Sequence, residues 1–348
     1  MIYPENEENY HPWSQAGRNN PFMEDKSYQA AMITSESQGG KCPWCGGFLK
    51  FWGELDDLNL DLYHHPVAYG RCEFCGSLSQ NPPLDSQQLE LAYPDSYWVE
   101  GEDDPLLRRL ALWYQRKILS LDQGLFMRRI LGSLEGKKML ELGPGRGDFL
   151  VWARSQGAKV MGWERSPRAV SFLRSKGIRA EAVILEDLSH WPEPGETWDI
   201  ITGFHVLEHL FEPARIVAGL LSHLAPKGLL VFQLPRIDSW QANIFGRQWF
   251  ALEVPRHVSI PSIKGLKQWA SLLNLELVDL KHFSLRDNAF CIVASLFPNL
   301  IPHRPGFGGL EMMLLLVGTW CFQPLAFIEA LTGRGGTVMM AFQKKPAT

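Results

Sequence analysis

The sequence of 348 residues has few charged side chains, few cysteines and no long uninterrupted apolar run. Only 21% of its residues are charged and the formal net charge is −4, which argues against nucleic acid as a partner because nucleic-acid binders concentrate Lys and Arg. The polar, acidic N-terminus lacks the basic patch and apolar core of a secretory signal, so we expect a cytoplasmic protein. Six cysteines are too few for a disulfide scaffold of this length.

The chain is long enough for two or three domains, and its character changes along its length. Residues 1–40 are polar and show neither a helical nor a strand period, which predicts an arm. We expect a cysteine-bearing domain over residues 41–100 and a linking helix over residues 101–135. From residue 136 to 348, short apolar runs alternate with helical stretches, the pattern of a parallel sheet covered by helices.

One stretch, residues 312–331, approaches the length of a membrane span, but Gln323, Pro324 and Glu329 interrupt it, so we do not expect it to span a bilayer. It belongs to an apolar helical insertion predicted at residues 285–334. A helix that is apolar all round is usually buried, in the core or in a dimer contact. The alternative is a lid or a peripheral membrane contact through residues 309–331 that serves a lipid-like acceptor.

Four of the cysteines form two C-x-x-C-G pairs. Four thiolates on two tight turns can close a tetrahedral zinc site, and the glycine after each pair lets the backbone turn toward the sulfurs. A closed site has no open coordination position, so its zinc would be structural. The predicted ligands are Cys42, Cys45, Cys72 and Cys75.

A glycine-rich turn with the spacing E-x-G-x-G-x-G follows the first apolar run of the larger domain. Its residues are Glu141, Gly143, Gly145 and Gly147. Glycines let the backbone approach a cofactor closely, but such a turn alone is a weak signal. The next predicted strand ends at Glu164, a position from which a carboxylate accepts hydrogen bonds from both hydroxyls of a ribose.

With these residues the chain resembles the class I S-adenosylmethionine-dependent methyltransferases. Residues 198–213 and 224–232 are similar to the family's fourth-strand and fifth-strand motifs. Together with the two cysteine pairs, residues 245–257 resemble a bacterial subgroup that carries a zinc ribbon before the methyltransferase domain. The resemblance covers residues 41–348. It implies an α/β fold with a Rossmann-like seven-stranded sheet, an N-terminal zinc ribbon and a helical insertion before the last strand.

The resemblance also implies S-adenosylmethionine as cofactor and a set of residues that bind it. A further acid is expected at the adenine edge, near residues 185–187, where we favour Glu186. The other implied cofactor residues are Glu141, Gly143, Gly145, Gly147, Glu164 and His205.

The fourth-strand motif contains His205, Glu208 and His209 with the spacing H-x-x-E-H. That string also occurs in inverted zinc peptidases, but here it follows a strand of a nucleotide-binding half, which argues against a peptidase. Some methyltransferases use E-x-x-E-H and a later histidine to hold a divalent ion. His257 is the later histidine here, and the four residues are a candidate site for Mg²⁺ or Mn²⁺. Because His205 replaces the first Glu, His205 contacting the cofactor and His209 packing against a helix is the equal alternative.

The predicted function is methyl transfer to a nucleophile, most simply a hydroxyl, of a small-molecule or lipid- or nucleotide-linked glycan acceptor. His209 and His257 are the candidate bases because imidazole titrates near neutral pH. Arg256 either binds an anionic acceptor or forms a structural salt bridge. The alternatives are an RNA methyltransferase whose ribbon reads RNA and a non-catalytic cofactor-binding scaffold. Against the RNA alternative, residues 41–81 contain only three basic side chains. The oligomeric state is not predicted.

Overall fold

The computed structural model describes residues 40–93, 106–192, 197–301 and 307–345. All but the last residue of the predicted N-terminal arm lies outside these ranges. The described residues form two sheets, one of four strands and one of seven.

The smaller sheet belongs to a cysteine-bearing module, residues 40–93, that we call the ribbon. Its strands pair antiparallel in the order β1, β2, β3, and the fourth strand, β9, comes from much later in the chain. Because β9 belongs to the larger domain and pairs with β3, the two domains share the smaller sheet. The elements are β1 (Leu49–Leu55), β2 (Val67–Cys72), β3 (Leu78–Gln80), α1 (Ser86–Glu90) and β9 (Ser259–Ile260).

A long helix, α2 (Leu106–Leu131), leads from the ribbon to the larger sheet. That sheet has the order β10-β11-β8-β7-β4-β5-β6, and every pair is parallel except those made by β11. The seven strands of the predicted fold class are therefore confirmed. They are β4 (Lys138–Leu142), β5 (Lys159–Glu164), β6 (Arg179–Ala182), β7 (Trp198–Phe204), β8 (Leu224–Pro235), β10 (Leu275–Lys281) and β11 (Thr337–Lys344).

Helices cover both faces of this sheet, and the strand residues alternate between them. Met139 pairs with Ile200 in one apolar cluster, and the next residues, Leu140 and Ile201, pair in the opposite cluster. Successive side chains of a strand point to opposite faces, so central strands buried on both sides read as continuous apolar runs. The covering helices are α3 (Asp148–Ser155), α4 (Pro167–Ser175), α5 (Pro213–Leu220) and α7 (Ile263–Leu272), whereas α6 (Trp240–Phe245) packs in the apolar cluster that includes the ribbon strands.

The chain between β10 and β11 forms three apolar helices, α8 (Asp287–Leu296), α9 (Gly309–Cys321) and α10 (Gln323–Leu331). We call α9 and α10 the hairpin. Met312, Leu315 and Ala326 are buried, but most of the hairpin's other large apolar side chains are exposed. The chain's own core therefore covers only the inner side of the stretch, and burial of the outer side in a dimer contact stays a prediction. The exposed residues are Leu310, Met313, Leu314, Val317, Trp320, Leu325, Phe327, Ile328 and Leu331.

No single described helix has the length and apolar composition to cross a bilayer, and α9 and α10 pass that test only when taken together, across a 44° bend.

Buried polar contacts join the ribbon to the loop before β9. The Arg256 guanidinium, fully buried, donates to both carboxylate oxygens of Asp57 at 2.7 and 3.1 Å. Tyr69 Oη donates to the carbonyl of His257, and Gln80 Nε2 donates to the carbonyl of Pro255. These contacts fix the position of residues 255–257 against the ribbon.

Replacing Asp57 by Ala should destabilise the protein strongly. The change removes the carboxylate that pairs with two nitrogens of the buried Arg256 guanidinium and leaves only the longer contact with Glu253, and breaking a buried pair typically costs about 3–5 kcal/mol. Denaturant unfolding measures it, with Asp56→Ala as the matched control because Asp56 is the exposed neighbour. Equal stability of the two variants would show that the ion pair does not hold the ribbon in place.

Candidate active site

The glycine-rich turn follows β4 and leads into α3. Gly143, Gly145 and Gly147 all have positive φ angles, of 56°, 51° and 69°. At Gly147 a Cβ atom would also lie 2.3 Å from Leu173 Cδ2, so no other residue fits there without movement. The turn thus presents backbone at the carboxyl end of the sheet, where ligands bind in open α/β folds.

Glu141, on β4 just before this turn, is a buried acid with an unmet hydrogen-bonding requirement. Its Oε2 is buried and has no hydrogen-bond partner among the described residues. Burial, together with the charges of Asp148 and Glu164, raises the pKa of Glu141 to about 8. An orphaned carboxylate at this position suits a cationic ligand group that would supply the missing partner.

Glu164 ends β5 beside the same turn. Its Oε2 accepts from the Gly145 backbone N–H at 3.0 Å, and its Oε1 accepts from the Ser166 N–H at 3.1 Å. Burial raises its pKa, although these backbone bonds oppose the shift. The carboxylate therefore lies at the turn, as its predicted role requires, while its contact with a ribose stays a prediction.

Glu186 lies in the loop after β6, the strand beside β5. It is half-buried, and its backbone carbonyl accepts from Arg215. The neighbouring Asp187 is engaged by Ser189 Oγ and by His190 Nδ1, so its carboxylate serves the loop itself. The proposal that Glu186 contacts the adenine stays a prediction.

His205 directly follows β7, has a positive φ of 57° and lies next to the glycine turn. Its Nδ1 lies 3.1 Å from Glu208 Oε1, and its Nε2 lies 3.3 Å from Asp287 Oδ2. Burial lowers the pKa of His205, but the two carboxylates outweigh it and raise the pKa to about 10. His205 lies outside the group of ligand atoms that approach within 4.8 Å of one another, so its expected place in the metal site stays a prediction.

Glu208, His209 and His257 do converge. One carboxylate oxygen and one nitrogen from each ring all lie within 4.8 Å of one another. His209 Nδ1 donates to the Arg256 carbonyl at 2.9 Å, and His257 Nδ1 donates to the Ala251 carbonyl at 2.8 Å. Because these carbonyls only accept, Nδ1 carries the proton in each neutral ring and Nε2 keeps its lone pair.

The carboxylate of this cluster is charged and incompletely bonded. Burial acts to raise the pKa of Glu208, but the hydrogen bond from His205 lowers it below its usual range. Glu208 Oε2 is buried with no hydrogen-bond partner among the described residues. Burial and the neighbouring His257 lower the pKa of His209 to about 4, so that ring is neutral at pH 7. A carboxylate and two neutral imidazoles are an established donor set for a divalent cation.

The structure adds residues to this site that the sequence did not indicate. Glu253 Oε2 lies 3.4 Å from His257 Nε2, and Tyr93 Oη lies 3.4 Å from His209 Nδ1. Asp287, 82 residues beyond His205, also accepts from Gln233 Nε2 and Ser284 Oγ. Tyr93 and Asp287 stand in no recognisable motif, and Glu253 lies within residues 245–257, whose resemblance to a subgroup did not single it out.

Arg256 does not bind an acceptor. Its guanidinium is fully buried and donates to Asp57, Glu253 and the Ala92 carbonyl. Its expected role in holding an anion is therefore wrong, and the structural alternative, a salt bridge, is what the chain forms.

The four cysteines of the two C-x-x-C-G pairs lie together, with all four sulfurs within 4.8 Å of one another. Gly46 and Gly76, which follow the pairs, have φ angles of 74° and 79° and close the same backbone turn in each pair. At Gly47 a Cβ atom would lie 3.0 Å from Cys72 Sγ. The four sulfurs are close enough together to coordinate one metal ion tetrahedrally.

Comparison with known proteins shows which family the larger domain resembles. A profile described as "Methyltransferase domain" matches residues 113–280. The ubiquinone biosynthesis O-methyltransferase of Aliivibrio fischeri is 30% identical over 169 residues, which cover 46% of this chain and 67% of that enzyme. The chain belongs to the S-adenosylmethionine-dependent methyltransferases. The profile match leaves out the ribbon and the hairpin of this methyltransferase.

A further relative and two solved structures are also similar to parts of this chain. The Escherichia coli enzyme of the same name is 27% identical over 189 residues, covering 52% of this chain and 75% of its own. Among solved structures, a Mesorhizobium loti S-adenosylmethionine-dependent methyltransferase matches with a TM-score of 0.43 and 16% identity, covering 64% of this chain and 98% of its own. Coclaurine N-methyltransferase matches with a TM-score of 0.42 and 14% identity, covering 75% of this chain and 79% of its own.

The residues present suit this cofactor. S-adenosylmethionine is cationic, and the orphaned Glu141 carboxyl lies beside three glycines whose backbone has left-handed geometry. Val206 Cγ2 lies 3.1 Å from the Cβ position of Gly143, so the histidine segment borders the same turn. The glycine turn and the histidine segment are therefore adjacent.

Cofactor binding should strengthen as the pH rises toward and through the pKa of Glu141. At neutral pH the free protein holds this carboxyl largely protonated, and a cation binds better to the carboxylate, so binding releases a proton. Calorimetry from about pH 6 to about pH 9 measures the dependence. Glu141→Gln should bind more weakly and retain only the cofactor's own titration. Identical pH profiles for both proteins would remove Glu141 from the cofactor site.

Proposed function

We propose that this methyltransferase methylates a hydroxyl of a small-molecule acceptor or of a lipid- or nucleotide-linked glycan. The observation that carries the proposal is the convergence of Glu208, His209 and His257 beside the glycine turn. The names of the relatives, which are O-methyltransferases, support an oxygen acceptor.

In the proposed reaction S-adenosylmethionine supplies a methyl group already activated on its sulfonium. The chain must therefore hold the acceptor hydroxyl in line with that group, and such positioning accounts for several kcal/mol of a barrier. It must also favour loss of the hydroxyl proton. The lone pairs on Nε2 of His209 and His257 are the groups of this chain that serve that step, either as metal ligands or as bases.

We favour the metal alternative because Glu208 is a buried, charged carboxylate with one unbonded oxygen. A divalent ion held by Glu208, His209 and His257 would lower the pKa of a bound hydroxyl. Imidazole nitrogen is a poor ligand for Mg²⁺, which prefers oxygen, so we propose Mn²⁺ as the better fit of the two expected ions. His205 would act from outside the ligand set by holding the Glu208 carboxylate in position.

We further propose that Cys42, Cys45, Cys72 and Cys75 bind one structural zinc ion, as in the zinc-ribbon subgroup that the sequence resembles. Their convergence and the two matched glycine turns support this. Four cysteine ligands close the coordination sphere, which assigns the ion to structure. The ribbon's contacts with residues 255–257 then give the zinc an indirect effect on His257.

His209→Ala and His257→Ala should each lower turnover by about 10²–10⁴ while cofactor affinity stays nearly unchanged. The readout is transfer of labelled methyl to fractionated cell extract, with calorimetry for the cofactor. His64→Ala is the control because His64 is exposed on the ribbon.

Chelation separates the two alternatives. If the histidines hold a metal, a chelator that leaves the cysteine-bound zinc in place should abolish activity, and Mn²⁺ should restore it. If the chelated protein keeps full activity before any metal is added, one of the two histidines acts as a base instead. Fully active single variants would overturn the site assignment altogether.

A further inference from the structure

The hairpin exposes a continuous apolar surface. Val317 and Leu331 are 55% and 71% exposed, and the other outer residues of α9 and α10 are about as open. Exposed apolar patches of this extent are rare on soluble monomers and mark interaction sites. Leu121 and Leu125 on α2 are also exposed, on the helix face that includes Ile118, which contacts the hairpin near Trp320.

The hairpin is held in this orientation by its inner residues. Glu329, buried, accepts from the backbone N–H and the side chain of Gln241. Gln323 Nε2 donates to the Leu285 carbonyl, and Gly318 lets α9 approach Val293 of α8 closely. Turning the outer side inward would break these buried contacts, so the apolar surface is a fixed feature of the fold.

Charge is missing from the outer side of the hairpin and present at its borders. Within residues 309–331 the charged residues are Glu311, which accepts from the Gly308 backbone N–H, and the buried Glu329. The exposed Arg334 follows the hairpin in the chain. The partly exposed Arg286, which pairs with Asp287, lines a small cavity with Trp320 and with Ile118, the residue after the exposed Lys117. An apolar surface bordered by cations suits the interface of an anionic bilayer, where apolar side chains leave water and the cations meet the lipid headgroups.

We propose that the outer side of α9 and α10 inserts into the interfacial region of an anionic phospholipid bilayer. The half-exposed Trp320 lies at the bend between the two helices, and indole rings concentrate at that depth of a membrane. α8 carries the hairpin and begins at Asp287, which pairs with His205. Docking would therefore place the membrane next to the active site, which suits the lipid-linked class of acceptor within the proposed function.

Vesicle flotation with the full chain tests the proposal. The protein should float with vesicles of phosphatidylglycerol and phosphatidylcholine and bind less to phosphatidylcholine alone. The triple variant Leu314→Gln, Val317→Gln, Ile328→Gln should bind the anionic vesicles at least about tenfold more weakly, because three apolar side chains no longer leave water. Phe51→Gln with Leu272→Gln, exposed apolar residues of the ribbon and of α7, should float like the unchanged protein.

The three changed residues are about half exposed, so folding should survive, and near-ultraviolet circular dichroism checks it. The proposal would be overturned if the unsubstituted protein floats with neither type of vesicle. It would also be overturned if the folded triple variant floats as well as the unsubstituted protein. The proposal would also be overturned if the protein is a dimer that does not float and the triple substitution makes it monomeric. A second copy of the chain would then cover the surface. Flotation needs no turnover, so its failure is distinct from failure of the proposed reaction.

Discussion

The buried ion pair between Arg256 and Asp57 connects the two parts of the molecule on which the site depends. The guanidinium holds a loop of the ribbon, and the carbonyl of the same residue accepts from His209 Nδ1. The next residue, His257, is fixed through its own carbonyl by Tyr69 of the ribbon. A few buried hydrogen bonds therefore orient both imidazoles, and removal of either module would leave them unsupported.

This arrangement divides the work of the site between two structures. The sheet carries Glu141 and Glu164, the residues expected to bind the cofactor, at the carboxyl ends of adjacent strands, where open α/β sheets generally bind ligands. The ribbon supports the two histidines proposed for the acceptor side, through Asp57 and Tyr69. Because the family match ends at residue 280, before β11, and omits the ribbon and the hairpin, those two additions are where the chemistry particular to this chain should lie.

The sequence predicted the features that have local signals. The glycines at 143, 145 and 147 mark positive φ, apolar runs mark the buried strands, and paired cysteines mark a shared cluster. Partners distant in the chain had no such signal: Arg256 meets Asp57 across 199 residues, and His205 meets Asp287 across 82. The surroundings of the hairpin could not be predicted for a related reason. Apolar composition indicates that a surface avoids water, but it does not specify whether protein or lipid covers that surface.

The most direct test of the account is methyl transfer by Cys72→Ser, with Cys321→Ser as the matched control because Cys321 is an exposed cysteine outside the cluster. Zinc content, cofactor affinity and transfer of labelled methyl to fractionated cell extract would be measured for both. The account predicts that Cys72→Ser loses its zinc and most of its methyl transfer while keeping its affinity for the cofactor, and that Cys321→Ser retains all three. A Cys72→Ser protein without zinc that transfers methyl groups at the unchanged rate would contradict the claim that the ribbon supports the acceptor site.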